Sequence, residues 1–382
     1  MTARLAITGV AHGGHGIART DDGVCFVPGA LPGDVVEAAS VERARKVLWA
    51  RDYAVVQPSP DRITPACPSP GACGACPWIH FAYPAQAEWK RRIVQETLSR
   101  LGGLTVEPEW REDPAWRLGY RTRATVHSDG GSWGFHAPRS HRVAPLSRCL
   151  LCHDKLNAIF ARLPKGVPGG SAEITVDPEG DAVLAWSRTP AEPLRKAFPN
   201  LAYPKQDKPR PRFIFDGVPV VAGGFSQASL LLNRLLRQTV HELTGRPESL
   251  LDLYCGSGNL SLGLDSETEV LGLDHNRAAI ESADSQRPGA YRQGDETVFR
   301  RMIKDRRWDV ILLDPPRQGA KEVMESLAKA RANSLVYVSC DPATMARDLR
   351  RLTTAGWSIS RLCALDLFPH VPHVETIAVL KR

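Results

Sequence analysis

From residue 217 onward, short apolar runs alternate with amphipathic stretches, a rhythm that predicts a mostly parallel sheet covered by helices. Leu250, Leu251 and Leu253 run into Tyr254-Cys255-Gly256-Ser257-Gly258, and an apolar segment follows at 260–264. That reads as strand, tight turn and helix. Further strands are expected at 270–273, 290–292, 309–313, 334–339, 362–367 and 376–380. Leu230, Leu231, Leu235 and Leu236 share one side of a helix expected over 226–243. The class is α/β, with an open, doubly wound sheet whose ligands bind beyond the carboxyl ends of the strands. The residues at those ends are Cys255, Asp274, Asp295, Asp314 and Cys340.

Residues 1–56 follow another pattern. Ile7-Thr8-Gly9-Val10, Gly23-Val24-Cys25-Phe26-Val27, Val35-Val36-Glu37-Ala38 and Tyr53-Ala54-Val55-Val56 are separated by glycine-rich turns. Four or five such strands predict a small closed barrel. Arg43, Arg45 and Lys46 would lie on one of its loops. Pro58, Pro60 and Pro65 mark a linker. Over 85–101 the spacing predicts a basic amphipathic helix carrying Lys90, Arg91, Arg92 and Arg100. Residues 116–146 interleave rings and cations: Trp116, Tyr120, Arg121, Arg123, Trp133, Phe135, His136, Arg139, His141 and Arg142. Such a mixture suits RNA, where rings stack on bases and arginines hold phosphates. A sheet with its aromatics in a core and its cations in water explains it equally well. Residues 161–212 carry no motif. The chain divides into units 1–56, 57–216 and 217–382.

At 382 residues the chain can build two or three cores. Apolar residues make up 43% and charged residues 24%, with no apolar run of membrane-spanning length. The N-terminus lacks the apolar stretch of a signal peptide. Nine cysteines, an odd number, argue for the cytoplasm, where clustered thiols bind metal or do chemistry. The net charge is +7, and residues 57–216 hold most of it, 22 Lys+Arg against 16 Asp+Glu. That surplus fits a nucleic-acid backbone.

Candidate chemistry sits in a few segments. Glycines at 256 and 258 let a ligand approach the backbone closely. Asp252, inside a strand, needs a fixed hydrogen-bond partner. Asp274 closes the next strand roughly twenty positions on, a spacing that suits ribose hydroxyls. Cys67, Cys73 and Cys76 lie within ten residues, with Cys149 and Cys152 beyond. Two C-x₂-C pairs would suit zinc, and C-x₅-C-x₂-C with a distant fourth cysteine suits an iron–sulfur cubane. Asp314-Pro315-Pro316-Arg317 presents a carboxylate on stiff backbone, with Arg317 where base-amine methyltransferases carry an aromatic. Cys340 is a candidate nucleophile and Glu375 a candidate general base.

The stretch GHGIARTDDGVCFVPGALPGDVVEA resembles the TRAM domain, a small RNA-binding barrel of the OB type. LDLYCGSGNL, LDPPRQGA, VYVSCDPATMARDL and FPHVPHVETIAVL resemble the RNA uracil-C5-methyltransferase family. With the cysteine run, the likeness covers all but 161–212. It implies a Rossmann-like class I methyltransferase domain, an OB-like TRAM barrel and a central α+β iron–sulfur domain. It implies S-adenosylmethionine at the glycine turn, held by Gln227, Tyr254, Gly256, Asp274 and Asp295, with Asp314 on the uracil. It implies Cys340 as nucleophile, Glu375 as base, and a 4Fe-4S cluster on Cys67, Cys73, Cys76 and Cys149. A TRAM barrel together with a cluster favours 23S rRNA as the RNA partner over transfer RNA. A monomer without a membrane partner is expected. Two positions depart from the family: Asp341 and Ser229 each stand where asparagine is usual. Rival readings are nitrogen methylation on the same fold and a non-catalytic RNA-binding iron–sulfur sensor.

Overall fold

The computed structural model describes residues 3–44, 47–204 and 209–382. Arg45 and Lys46, expected on a barrel loop beside Arg43, lie outside the described residues. Strands β1 (Ala3–Val10), β2 (Gly16–Thr20), β3 (Gly23–Val27), β4 (Val35–Ala44) and β5 (Val47–Gln57) close a barrel in the order β1-β2-β3-β5-β4. Alternate side chains fill it, among them Leu5, Ile7, Val27, Val36 and Leu48. Buried Asp34 accepts from the backbone N–H of Leu31 and Ser59 and from Arg62, which ties the barrel to the chain that leaves it.

Helix α1 (Tyr83–Thr97) ends in one π-helical turn at Leu98–Gly102. The spacing predicts a basic amphipathic helix here, and the helix forms, but its cations are not all free. Lys90 is wholly buried, and its Nζ donates to Asp366 Oδ1 at 2.7 Å. Arg91 and Arg92 are paired with Glu88. Periodicity registers the charge of Lys90 but not a partner 276 residues away.

After the short strand β6 (Glu109–Arg111), a second sheet forms from β7 (Arg123–Asp129), β8 (Trp133–His136), β9 (Val143–Pro145), β10 (Pro168–Val176) and β11 (Val183–Trp186). Helix α2 (Asp154–Phe160) lies between β9 and β10 in sequence, and α3 (Glu192–Ala197) follows β11. Tyr120, Trp133 and Phe135 are buried in its core, so for these rings the core reading holds. Arg139, His141 and Arg142 remain exposed. The stretch without a motif supplies β10, β11 and α3. A hairpin, β12 (Arg212–Phe215) and β13 (Val218–Val221), then leads to α4 (Leu230–Thr244). This helix starts at Leu230 because the Ser229 hydroxyl caps it, accepting from Leu232 N–H.

The remaining elements are β14 (Ser249–Leu253), β15 (Glu269–Asp274), α5 (Arg277–Asp284), β16 (Tyr291–Gln293), α6 (Glu296–Asp305), β17 (Trp308–Leu313), α7 (Met324–Ala328), β18 (Ala332–Ser339), α8 (Pro342–Thr354), β19 (Ser358–Leu365) and β20 (Glu375–Lys381). They build an eight-stranded sheet, β16-β15-β14-β17-β18-β20-β19-β6, parallel from β16 to β18 and antiparallel at β20. Alternate residues feed two cores: Leu250, Val310 and Val336 on one face, Leu251, Ile311 and Leu335 on the other. Two features depart from the sequence reading. Strand β6, from within 57–216, pairs with β19 at the sheet edge. The segment after the glycine turn is a run of turns over 256–263, not a helix. Gly258 and Gly263 both take positive φ there, which interrupts helical backbone. Among the described residues no helix is long and apolar enough to cross a membrane.

Replacing Lys90 by methionine strands the Asp366 carboxylate in the interior. Lys90→Met should cost roughly 3–5 kcal/mol of stability, read as a lowered urea midpoint. A midpoint equal to the parent's would show that the pair does not hold the fold.

Candidate active site

A cavity of about 2060 Å³ runs along the carboxyl edge of the large sheet and on to the barrel. Tyr254 and Gly256, just after β14, line it, as do Asp274 at the end of β15 and Asp314 just after β17. Cys340 follows β18 and Glu375 opens β20, and both reach the same cavity. Gln227 enters from the segment before α4, which is held by Thr122 and Arg123 through the Ala228 carbonyl. Asp295 is the exception. Its carboxylate is exposed, outside the cavity wall, and caps α6 by accepting from Thr297 and Val298 N–H. A helix-capping aspartate and a ligand-holding one look alike in sequence.

The glycine turn is tightly constrained. Tyr254, Gly256 and Gly258 have φ of 62°, 55° and 77°. A Cβ on Gly258 would stand 2.8 Å from Leu262 and 3.0 Å from the Tyr291 hydroxyl. Asp274 accepts from Gly256 N–H at 3.0 Å and Asn276 N–H at 2.7 Å, so it orders the turn that it faces. Asn259 and Asn233 exchange amide hydrogen bonds, locking the turn to α4. Sequence reasoning missed Asn233 and His275 on this wall. The asparagine directly after Gly258 was the available signal for the first.

Four ionisable groups dominate the chemistry. Asp252, 1% exposed, takes the expected bond from Ser261 Oγ at 2.6 Å, but its Oδ1 has no partner within the protein. Burial pushes it up to about 8. Burial also lifts Asp314 to about 7. Glu375, 3% exposed, is pushed well above the carboxylate range by burial and then by Asp314, with Arg317 opposing. Burial and then Glu375 push the Cys340 thiol up to about 11, again against Arg317. The cavity thus brings a thiol and two proton-holding carboxyls around one guanidinium. Cys255 is also buried, its Sγ against the Gly256 carbonyl, and its pKa is raised well above the usual thiol range by burial. Asp341 caps α8 through Thr344 N–H, a role that asparagine would fill equally.

Cys67, Cys73, Cys76 and Cys149 line a second, small cavity, and Cys152 is buried behind it. Burial, then the Cys73, Cys149 and Cys67 sulfurs, push Cys76 up to about 12. Among the described residues no three or more His, Cys, Asp or Glu side chains are closed up to hold a metal ion.

Two family models match: TRAM domain over residues 2–49, and tRNA (Uracil-5-)-methyltransferase over 295–382. A 23S rRNA (uracil(1939)-C(5))-methyltransferase of Alkalilimnicola ehrlichii is 32% identical, covering 99% of this chain and 96% of its own. Its counterpart from Thiobacillus denitrificans is 31% identical over the full length of both chains. The crystal structure of a Pyrococcus abyssi tRNA (uracil-54, C5)-methyltransferase with S-adenosyl-L-homocysteine shares the fold, with TM-score 0.79 at 23% identity, covering 99% of this chain and 100% of that one. A TRAM barrel joined to a class I methyltransferase sheet defines the class. The chain belongs to the RNA uracil-C5-methyltransferase family, which uses S-adenosylmethionine.

The unpartnered Asp252 Oδ1 fits that methyl donor, whose cationic groups would satisfy a buried carboxylate. A carboxyl protonated below about 8 must lose its proton to form such a pair. S-adenosylmethionine binding at neutral pH should therefore release protons, read by calorimetry in buffers of different ionisation enthalpy. Asp252→Asn should bind more weakly and release none. The same release from both proteins would count against the pairing.

Proposed function

We propose that this chain methylates C5 of a uridine in 23S rRNA, with Cys340 as nucleophile and Glu375 as base. The observation that carries the reading is the shared cavity in which Cys340, Glu375, Asp314 and Arg317 meet beside the glycine turn. Uracil C5 is too weak a nucleophile to react unaided. Cys340 gives its proton to solvent, the thiolate adds at C6, and the C5–C6 π electrons move into an enolate whose electron-rich C5 takes the methyl group. Bound S-adenosylmethionine supplies the methyl electrophile. Glu375 must first release the proton that burial favours; as carboxylate it then takes the C5 proton, the C–H electrons re-form C5–C6, and the C6–S bond breaks. A carboxylate raised by burial is a stronger base for this carbon acid than an exposed one. Arg317 opposes the rise of the thiol and so favours thiolate at the moment of attack. Nitrogen methylation needs neither group.

In this scheme Asp314 holds the uracil, while Gln227, Tyr254, Gly256 and Asp274 hold the cofactor. The three units divide the work: 1–56 and 57–216 dock RNA, and 217–382 carries the chemistry. The β7–β9 face of the same cavity offers His127 stacked on His136 at 3.7 Å, with His141 edge-on and Arg139 exposed beside them. Unpaired bases and phosphates find complementary groups there. In folded RNA the target base must be unstacked to reach Cys340.

Glu375→Gln keeps shape but loses basicity, so it should accumulate a covalent methylated RNA adduct on a denaturing gel. The adduct should form with 23S rRNA fragments rather than transfer RNA, persist in a Cys255→Ala background and vanish with Cys340→Ala. Full turnover by Cys340→Ala would sink the scheme, and an adduct with transfer RNA alone would reassign the substrate.

The thiols of Cys67, Cys73, Cys76 and Cys149 are the soft donor set that a 4Fe-4S cluster takes, and they surround one cavity. The group would serve structure, since methyl transfer moves no net electrons. Anaerobically purified protein should be brown and contain iron. Stoichiometric zinc without iron would overturn this assignment.

A further inference from the structure

Glu375 follows a nine-residue loop, 366–374, that is almost entirely buried. Such a loop carries many backbone polar groups into the interior, and each needs a partner. Helix α1 supplies them. Lys90 Nζ donates to Asp366 Oδ1 at 2.7 Å and to the Phe368 carbonyl at 2.9 Å. Asp366 Oδ1 also accepts from Phe368 N–H at 3.0 Å, and its Oδ2 accepts from the Tyr83 hydroxyl at 2.8 Å. Gln86, fully buried, accepts from His370 N–H at 2.9 Å, and its amide nitrogen lies 3.0 Å from His370 Nδ1. His370 itself has φ of 64°, a backbone state that a non-glycine residue keeps only when its surroundings hold it.

A simple packing role would need only apolar contacts here. A charge pair in which both side chains are fully buried is a costly way to stabilise a loop, and apolar residues of similar volume often do as well. What a pair with directed hydrogen bonds adds is a fixed backbone position. The next residue after the loop is the proposed base.

We propose that Lys90, Asp366 and Gln86 are positioning residues for Glu375: they hold the loop so that the carboxylate reaches the C5 proton. None of the three lines the cavity, and in this scheme they act after methyl transfer. The proposal rests on the reading of Cys340 and Glu375 given above.

The test compares Lys90→Met/Asp366→Leu and Gln86→Leu with the parent enzyme. The double variant removes both charges together, so it leaves no stranded ion. Expected are folded proteins with parental S-adenosylmethionine affinity, turnover lowered tenfold or more, and a covalent methylated RNA adduct accumulating as in Glu375→Gln. Parental turnover in a folded variant would overturn the proposal. So would parallel loss of cofactor binding and of adduct, or unfolding of both variants, since either assigns the residues to stability alone. Glu375→Gln is the control. If it too forms no adduct, the reaction scheme and this proposal fall together. An adduct there and none in the folded clamp variants overturns the clamp alone.

Discussion

The site depends on keeping acids out of water. Asp252 and Glu375 are all but sealed, Asp314 is half-buried, and burial drives all three towards their neutral forms. Ionised carboxylates packed this closely would repel one another and pay for lost hydration. The fold brings them together because Asp252 and Asp314 lie at the carboxyl ends of neighbouring parallel strands and Glu375 opens an antiparallel strand at the same edge. Arg317, exposed at the cavity edge, is the cation that opposes the shifts of both Cys340 and Glu375. The same burial makes the groups useful. A base that resists ionisation in the free protein binds a proton strongly when the reaction presents one.

Placement of the two proposed reacting groups comes from different kinds of structure. Cys340 sits one residue after a parallel strand, with α8 beginning at Pro342 and capped by Asp341, so regular hydrogen bonding fixes it. Glu375 begins an antiparallel strand reached through irregular backbone. Regular structure supplies its own partners, whereas irregular buried backbone must borrow them. That asymmetry explains why α1, far away in sequence, spends Lys90 and Gln86 on the loop before Glu375.

Much of this was legible in the chain. The strand ends at Asp274, Asp314 and Cys340 were readable because alternating apolar runs define where each strand stops. The barrel was readable from its glycine-separated strands. What was not legible has two causes: a deciding partner that is distant in sequence, or local chemistry that two outcomes share. Lys90 looked like a surface cation because Asp366 lies 276 positions on. Strand β6 is three residues long and exists through its pairing with β19. Asp295 showed the right type and place for a ligand, but two local N–H groups claim its carboxylate. The turns after Gly256 were misread as helix because apolar spacing over five residues cannot distinguish the two.

The barrel is packed directly against the rest of the chain. A Cβ on Gly14 would stand 2.7 Å from Pro372, so only glycine lets the barrel press against the loop before Glu375. Trp78, two residues after Cys76, donates its indole N–H to the Gly14 carbonyl at 3.2 Å, and its backbone N–H to the His370 carbonyl at 3.1 Å. Barrel, cysteine segment and the loop before Glu375 therefore meet at one point, joined by the Trp78 ring and backbone and by the Gly14–Pro372 contact. Close packing of this kind leaves little slack. The packing itself therefore holds the barrel in register with the cavity, and the proline-marked stretch after β5 has no need to act as a hinge.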